Sequence, residues 1–574
     1  MSLDTAIETT ERTFLPVDFS PKTWADIKPW FDQLEERDIK DRKAFLKWLS
    51  DASELEAVLE EDLGWKYVRM TCDTQNKSHQ EAYQDHIENI LPHMQPRWHA
   101  LHKKLLEHPD AEALSNMEGY SIMFRAIREE VKLYREKNIP IETELNTLAQ
   151  QYSGIMGKMS IKDGDEELTI PQAALKLRDT DRDVRRDTYL KIQERRLQEK
   201  SVVDALFNDL ISRRTRLAWN AGFDNYRDYK FKAMGRFDYS VQDCFDFHDA
   251  IAQHITPLVD EMNQIRKENL GLNELRPWDL QVDEQGRKPL KPFKNGKDLL
   301  EKSIHCLNQV DPFFGDCLKK MNEMNHLDLE SRKGKAPGGY NYPLYETGVP
   351  FIFMNAAGSQ DDMITMIHEA GHAVHSFLNH DLPLTGFKSL PSEVAELASM
   401  SMELISMDYW DSFYGDFQSL NRAKKEHLER ILYLLPWIAT IDKFQHWLYA
   451  NPEHTIEERQ DIWIEINQEL ASSEVNWFGL DQFRRNAWQA QLHLFEVPFY
   501  YIEYGMAQLG AIAVWRNVMR KPKHGLHMFK EALKLGYTRT IPEIYEAAGI
   551  KFDFSAEYIA ELAGFVREEY EKLT

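Results

Sequence analysis

Apolar residues recur three and four positions apart along most of the chain, the spacing of helices that bury one face. Residues 41–48 (DRKAFLKW) and 121–133 (SIMFRAIREEVKL) show it plainly, and the stretch 21–196 around them is rich in Glu, Lys and Leu and poor in glycine. The pattern predicts successive amphipathic helices there, and more across 201–264. It breaks at Arg276-Pro277-Trp278-Asp279-Leu280 and again at Gly334-Lys335-Ala336-Pro337-Gly338-Gly339, where proline and glycine interrupt any helix. Pro350-Phe351-Ile352-Phe353-Met354-Asn355 follows, a short β-prone apolar run bounded by turn residues and the best strand candidate in the chain. From 361 to the end the helical spacing returns. The expected fold class is therefore mainly α with a small β-sheet, divided into an N-terminal helical lobe, 1–196, and a domain over 197–574 that carries the chemistry. No fixed-period repeat is visible, so a solenoid is not expected.

Composition narrows the partners. The chain has 574 residues, 43% hydrophobic and 29% charged, which is ordinary for a globular protein with a large core. Its formal charge of -24 sets a repulsive field before phosphate backbones and anionic lipid, so nucleic acid and membrane surface are not expected as partners. Cys72, Cys244, Cys306 and Cys317 lie far apart with no C-x-x-C pair, which suggests neither a disulfide framework nor a cysteine zinc site and fits a reducing compartment. Residues 1–16 lack a basic stretch followed by an apolar one, and no uncharged apolar run reaches the ~18 residues needed to cross a bilayer. The expected location is cytoplasmic.

The candidate chemistry lies in His368-Glu369-Ala370-Gly371-His372. Four residues apart on a helix, the two imidazoles come round to one face and can share one ion. The surrounding helix, 361–378, is apolar on nearly all sides, with Met363, Ile364, Met366, Ile367, Ala370, Ala373, Val374 and Phe377. Two imidazoles and a carboxylate buried there need partners, and a metal ion with its water supplies them. A catalytic zinc takes three protein ligands. His375 is one candidate for the third, but side chains at 368, 372 and 375 fan along a straight helix. Glu396 is the other, on a second helix starting near 389–392 and able to approach from the side. Glu393 and Glu403 share its face, and either can accept a hydrogen bond from a ligand imidazole.

With Asp361-Asp362-Met363 leading into His368-Glu369-Ala370-Gly371-His372-Ala373-Val374-His375, and Glu393-Val394-Ala395-Glu396 and Glu403 following, the chain resembles the thimet oligopeptidase and oligoendopeptidase F family of zinc metallopeptidases, nearest its bacterial Pz-peptidase branch. The likeness starts at Asp179-Thr180-Asp181-Arg182, passes through Trp278-Asp279-Leu280 and Lys335 to Tyr340, and continues to His493-Leu494-Phe495 and Phe499-Tyr500-Tyr501-Ile502-Glu503-Tyr504. It implies a single zinc per chain, held by His368, His372 and Glu396, because the family's third ligand is the Glu seven residues before another Glu, here Glu403. It implies Glu369 as general base and excludes His375 as a ligand. Tyr501 and Tyr504 match the family's oxyanion tyrosines and His493 its upstream histidine; Tyr500 is an alternative to Tyr501, since 500 and 504 also share a helical face. The implied architecture has two helical lobes around a deep channel and a small sheet whose edge strand binds substrate backbone. That strand is expected at 350–355, making Phe353, Met354 and Asn355 substrate contacts, with Gly338, Gly339 and Tyr340 in a loop that closes on substrate. The activity implied is cleavage of short, unstructured oligopeptides at interior bonds. An exopeptidase of the same class and a non-enzymatic helical binding protein are the rivals.

Overall fold

Helix starts in this chain are written by capping residues. In the computed structural model, which describes residues 12–573, Asp41 accepts the Ala44 N–H at 2.8 Å and opens the 31-residue helix Arg42–Cys72. That helix buries Phe45, Trp48, Leu49, Leu55, Val58 and Leu59, together with Asp51, which Arg37 and Lys47 pair, and Glu61, which accepts the N–H groups of Glu346 and Thr347. The segment read at 121–133 is the helix Tyr120–Leu133. The 201–264 periodicity resolves into Lys200–Ala221, Tyr226–Ala233, Val241–His254 and Thr256–Asn269. Residues 1–11, part of the 1–16 stretch read for a leader, lie outside the described residues. Among the described residues no helix is long and apolar enough to cross a membrane.

Two departures from the expected pattern concern strands. A hairpin interrupts the helices of the first third: β1 (Ser160–Asp163) pairs antiparallel with β2 (Glu166–Thr169), Asp163 opposite Glu166. Gly164 sits at φ 64 in the two-residue Gly164-Asp165 loop, a conformation glycine adopts without strain, so the turn fixes the register. The second sheet comprises β3 (Leu327–Glu330), β4 (Tyr340–Tyr342) and β5 (Phe351–Ala356) in the order β3-β5-β4. The strand expected at the edge, 350–355, is therefore the central one, parallel to β3 and antiparallel to β4. Its four leading residues, Phe351 to Met354, are all buried, and such a continuous apolar run belongs between neighbours. The edges fall to β3 and β4, which carry the polar residues.

The chain gathers into two compact units, each assembled from separated segments. One comprises the chain up to Tyr134, Lys291–Lys424 and Ala507–Phe552; the other comprises Arg135–Leu290, Lys425–Met506 and Asp553 onward. This division differs from a single boundary after residue 196, because compactness follows contacts and not sequence order. The first unit holds the three-stranded sheet and the His368 helix. In the second, Asp279 is fully buried and accepts from Arg182 Nε at 3.0 Å, Arg185 Nη2 at 2.9 Å and the Arg276 N–H at 3.0 Å. That network explains why Asp181-Arg182 and Trp278-Asp279 occur in one chain: the first supplies cations for the carboxylate of the second.

Candidate metal centre

The helix that carries the histidines runs Gln360–Leu378 and begins with a capping box. Ser359 Oγ accepts the Asp362 N–H at 3.1 Å, while the Asp362 carboxylate accepts the N–H groups of Ser359 and Ala357, each at 2.9 Å. Met363, Ile364, Met366, Ile367, Ala370, Ala373 and Val374 are buried around it, so its few polar side chains have fixed surroundings. His368 and His372 share one face, their ring centroids 4.9 Å apart.

The helix Ser392–Ser406 crosses this one at very short range. A Cβ at Gly371 would meet Ser399 Cα at 2.5 Å and the Ala398 carbonyl oxygen at 2.9 Å, so only glycine fits there. The close crossing delivers Glu396, whose Oε2 lies 3.3 Å from His368 Nε2 and 3.7 Å from His372 Nε2. Three donor atoms from these residues fall within 4.8 Å of one another. Ser399 Oγ donates to Glu396 Oε2 at 3.2 Å and steadies its rotamer. One turn beyond, Glu403 Oε1 lies 2.6 Å from the other ring nitrogen of His368, Nδ1. Between the two carboxylates with the right helical phase, it is Glu403 that orients the imidazole. Glu393 is buried one turn before Glu396, and its backbone carbonyl accepts the Tyr545 hydroxyl at 3.0 Å. His375 is also buried, outside the three-residue donor set, and burial pushes its pKa down to about 3.

Electrostatics fit the donor set to a cation. Burial keeps His372 neutral by pushing its pKa down to about 4, leaving the lone pair a ligand requires. Burial also opposes charge on His368, but hydrogen bonds and attraction from Glu396 and Glu403 outweigh it and hold that pKa well above the usual value. Burial pushes Glu369 up to about 7; His368 opposes the rise, and Glu396 and Glu403 add to it. Glu369 is 6% exposed and its Oε2 has no hydrogen-bond partner among the described residues. Two imidazoles and a carboxylate are a donor set that suits a divalent metal ion, and the unpaired buried carboxyl stands beside it. Because Glu403 acts through His368, Glu403→Gln is expected to weaken metal affinity by about 10–100-fold while the fold survives, read by competition with a chromophoric chelator.

The neighbouring sheet is tied down more tightly than its sequence indicated. Lys335 is fully buried and donates to the carbonyls of Asp328 at 3.0 Å, Glu330 at 3.0 Å and Met354 at 2.6 Å, with its ammonium 4.5 Å from the Phe353 ring centroid. Tyr340 stacks on that ring at 4.8 Å. Phe353 and Met354 are thus sealed inside, and Asn355 uses its side-chain amide to hold the carbonyls of Ala336 at 2.7 Å and Gly338 at 2.9 Å. In this structure their side chains support the sheet and the loop before it. Both β5 and β4 border the histidine helix, and β4 is tied to it through Asn341, whose Nδ2 donates to the Glu369 carbonyl at 3.3 Å. Gly371, Ser399, Asn341 and Lys335 had no assigned role from sequence; the glycine inside the His-Glu motif was the readable signal, since a helix interior tolerates glycine poorly without a packing reason.

Within the second unit, the residues matched to the oxyanion group cluster. The His493 ring lies 4.7 Å from Tyr501 and 5.9 Å from Tyr504, and Tyr500 lies 5.3 Å from Tyr504. Gln491 Nε2 and His493 Nδ1 are 2.7 Å apart. Burial pushes the Tyr501 hydroxyl up to about 12, so it stays a donor at any working pH. The helix Tyr501–Arg520 starts two residues after Phe499, a non-glycine residue at φ 68. Such a conformation costs about 1–3 kcal/mol and persists only where its surroundings enforce it. Here the Phe499 N–H donates to Gln445 Oε1 at 2.6 Å, and Arg236 donates to the Phe499 carbonyl and, at 2.8 Å, to Glu503.

Known proteins share this arrangement of elements. An Oligoendopeptidase F homolog of Lactococcus lactis subsp. lactis (strain IL1403) is 24% identical over 54% of this chain and 51% of its own. Oligopeptidase PepF of Bacillus subtilis (strain 168) is 25% identical over 52% of this chain and 44% of its own. The matched region thus spans about half the length of these curated relatives. A structure of Pz peptidase A with an inhibitor superposes with a TM-score of 0.89 at 23% identity, covering 96% of both chains. Oligoendopeptidase-F from Enterococcus faecium superposes with a TM-score of 0.65 at 15% identity, covering 96% of this chain and 97% of that one; both establish a shared fold. The profile of the Peptidase M3 N-terminal domain matches residues 14–134, and that of Peptidase family M3 matches residues 175–564, well over half of the chain. The chain belongs to Peptidase family M3.

Proposed function

We propose that this protein is a zinc-dependent endopeptidase of the cytoplasm that hydrolyses short, unstructured oligopeptides. The observation that carries the proposal is the convergence of His368, His372 and Glu396 beside the unpartnered Glu369 carboxyl. A zinc ion held by those three ligands supplies a Lewis acid that lowers the pKa of a water to ~7 and polarises a peptide carbonyl. Glu369 Oε2 takes the proton of the attacking water and returns it to the leaving amine. Buried beside the ligands with Oε2 unpartnered, Glu369 is placed to make both transfers. An extended peptide adds its backbone to the outer side of β4, which among the described residues pairs with β5 alone and adjoins the Glu369 turn through Asn341. Gly338, Gly339 and Tyr340 at the start of that strand complete the surface.

Length restriction follows from burial. The ligand histidines are 19% exposed and Glu396 7%, so the scissile bond must reach a recess that a folded domain does not enter. The decisive experiment is metal analysis together with mass-spectrometric mapping of cuts in a nested peptide series and in an unfolded casein-like chain. Interior cuts in short peptides, lost together with one equivalent of metal in a His368→Ala/His372→Ala variant, are expected. Stepwise release of terminal residues would point to the exopeptidase rival, and retained activity in the variant would end the metal mechanism.

The family resemblance assigns Tyr501 and Tyr504, with His493, to stabilising the oxyanion. Phe at either position is therefore expected to lower kcat more than it raises KM, by about 10²-fold or more for a donor lost from the transition state. Applying the same change at Tyr500 decides between 500 and 501. Unchanged kcat in all the single variants and the Tyr501→Phe/Tyr504→Phe double variant would return these residues to packing.

A further inference from the structure

The second unit contains another group of metal-type donors, none of them a residue assigned a catalytic role above. The helix Val241–His254 carries Cys244 and His248 four residues apart, and the helix Phe417–Ala450 carries Asp442 and His446 four residues apart. Each pair occupies one helical face, so two such pairs facing each other bring donors from both helices together. Cys244, His248 and Asp442 are fully buried and His446 is 3% exposed. Donor atoms of Cys244, Asp442 and His446 lie within 4.8 Å of one another, the same criterion that the His368, His372 and Glu396 set meets.

We propose that Cys244, Asp442 and His446 bind a second divalent ion of the zinc class, with His248 as the group that orients Asp442. Contacts among its own members account for only part of the cluster. His248 Nε2 and Asp442 Oδ2 are 2.9 Å apart, but Asp442 Oδ1 and His446 Nδ1 have no hydrogen-bond partner among the described residues. His446 Nε2 also lies 3.1 Å from Asp442 Oδ2, an ion-pair contact short enough for the two side chains to reach one ion. Leaving two buried polar atoms unpaired costs about 1–3 kcal/mol each. The charges also balance: a thiolate, a carboxylate and a neutral imidazole around a dication form a neutral assembly, the only kind that buries cheaply. Sulfur, nitrogen and oxygen donors together favour zinc over calcium or magnesium, and binding releases the Cys244 proton to solvent.

The aromatic rings of Phe231, Phe245 and Phe499 surround His446 at 5.7, 4.9 and 5.3 Å. Such a dry shell suits a structural ion. Phe499 is the strained residue that starts the Tyr500 to Tyr504 turn, and His446 and Gln445 both bear on it. The ion thus fixes the two helices against which that turn is built.

The test uses the full chain loaded with cobalt or zinc. The first centre has no sulfur ligand, so a thiolate-to-cobalt charge-transfer band in the wild-type protein reports the second centre alone. The expected result is that band, together with about one zinc per chain remaining in His368→Ala/His372→Ala, both lost when Cys244→Ser is added. Absence of the band together with no residual metal in the double variant overturns the proposal. So does residual metal that gives no thiolate band and survives Cys244→Ser. If Cys244→Ser does not fold, the band in the wild-type protein decides.

Discussion

Glu369→Gln is expected to lower kcat by about 10²–10⁴-fold while metal content and fold stay intact. Glutamine keeps the shape and the hydrogen-bonding length of the side chain but cannot take a proton. In the structure Glu369 stands outside the three-residue donor set, yet next to His368 and with Oε2 unpartnered, so it has no ligand to lose and no network to break. The same residue makes a stability prediction whose sign differs from that of most carboxylates. Its folded pKa is raised by burial to about 7, above the ordinary 4.5, so the folded state resists ionising it. In the metal-free protein the penalty is absent below pH 4.5, grows between 4.5 and 7, and is fully present above 7. Metal-free Glu369→Gln is therefore expected to be the more stable protein at pH 8, by up to about 3 kcal/mol, and no more stable than wild type at pH 4. Chemical denaturation at the two pH values reads this directly. Near-normal turnover would remove Glu369 from the mechanism, and loss of metal would make it a ligand.

The parts of this protein that were legible in its sequence are those encoded by neighbours. The helices 41–48 and 121–133 announce themselves by apolar spacing and appear with their starts within a residue or two, because Asp41 is an N-cap on its own helix. The His368 and His372 pair is legible for the same reason: four residues on a helix bring side chains to one face whatever surrounds them. The Glu393 and Glu403 alternative was not decidable that way, since both have the phase of Glu396. The crossing of two helices, set by Gly371 against Ser399, selects Glu403 for His368. A similar limit applies to 350–355. An apolar run says strand, but whether it lies at an edge depends on two partners of only four and three residues, Leu327–Glu330 and Tyr340–Tyr342, too short to show alternation. Cys244 and Asp442 are nearly 200 residues apart, so the scattered cysteines read correctly as lacking a C-x-x-C pair while saying nothing of what folding sets beside them.

Gly371→Ala sets two opposing effects against each other. In an isolated helix, alanine is favoured over glycine by about 1 kcal/mol, so by helix propensity alone the variant is the more stable protein. In this structure the new methyl group would lie 2.5 Å from Ser399 Cα, 2.9 Å from the Ala398 carbonyl oxygen and 3.1 Å from Met402 Cβ. The first two are backbone atoms of the opposing helix, which cannot rotate away as a side chain does. The helices Gln360–Leu378 and Ser392–Ser406 must separate, and overpacking of this kind costs about 1–3 kcal/mol or more. Separation also moves Glu396, three residues before Ser399, away from His372, which immediately follows residue 371. Ligand atoms 3.3 and 3.7 Å apart have little slack before they no longer reach a common ion. Metal affinity is accordingly expected to fall by at least the 10–100-fold typical of a lost orienting contact, and kcat/KM to fall with it at limiting zinc and recover in part at excess zinc. Competition with a chromophoric chelator measures the first, and a zinc titration of peptide cleavage the second. A variant that gained stability and kept its metal would show that the crossing has room to relax and that Gly371 does not set the position of the third ligand.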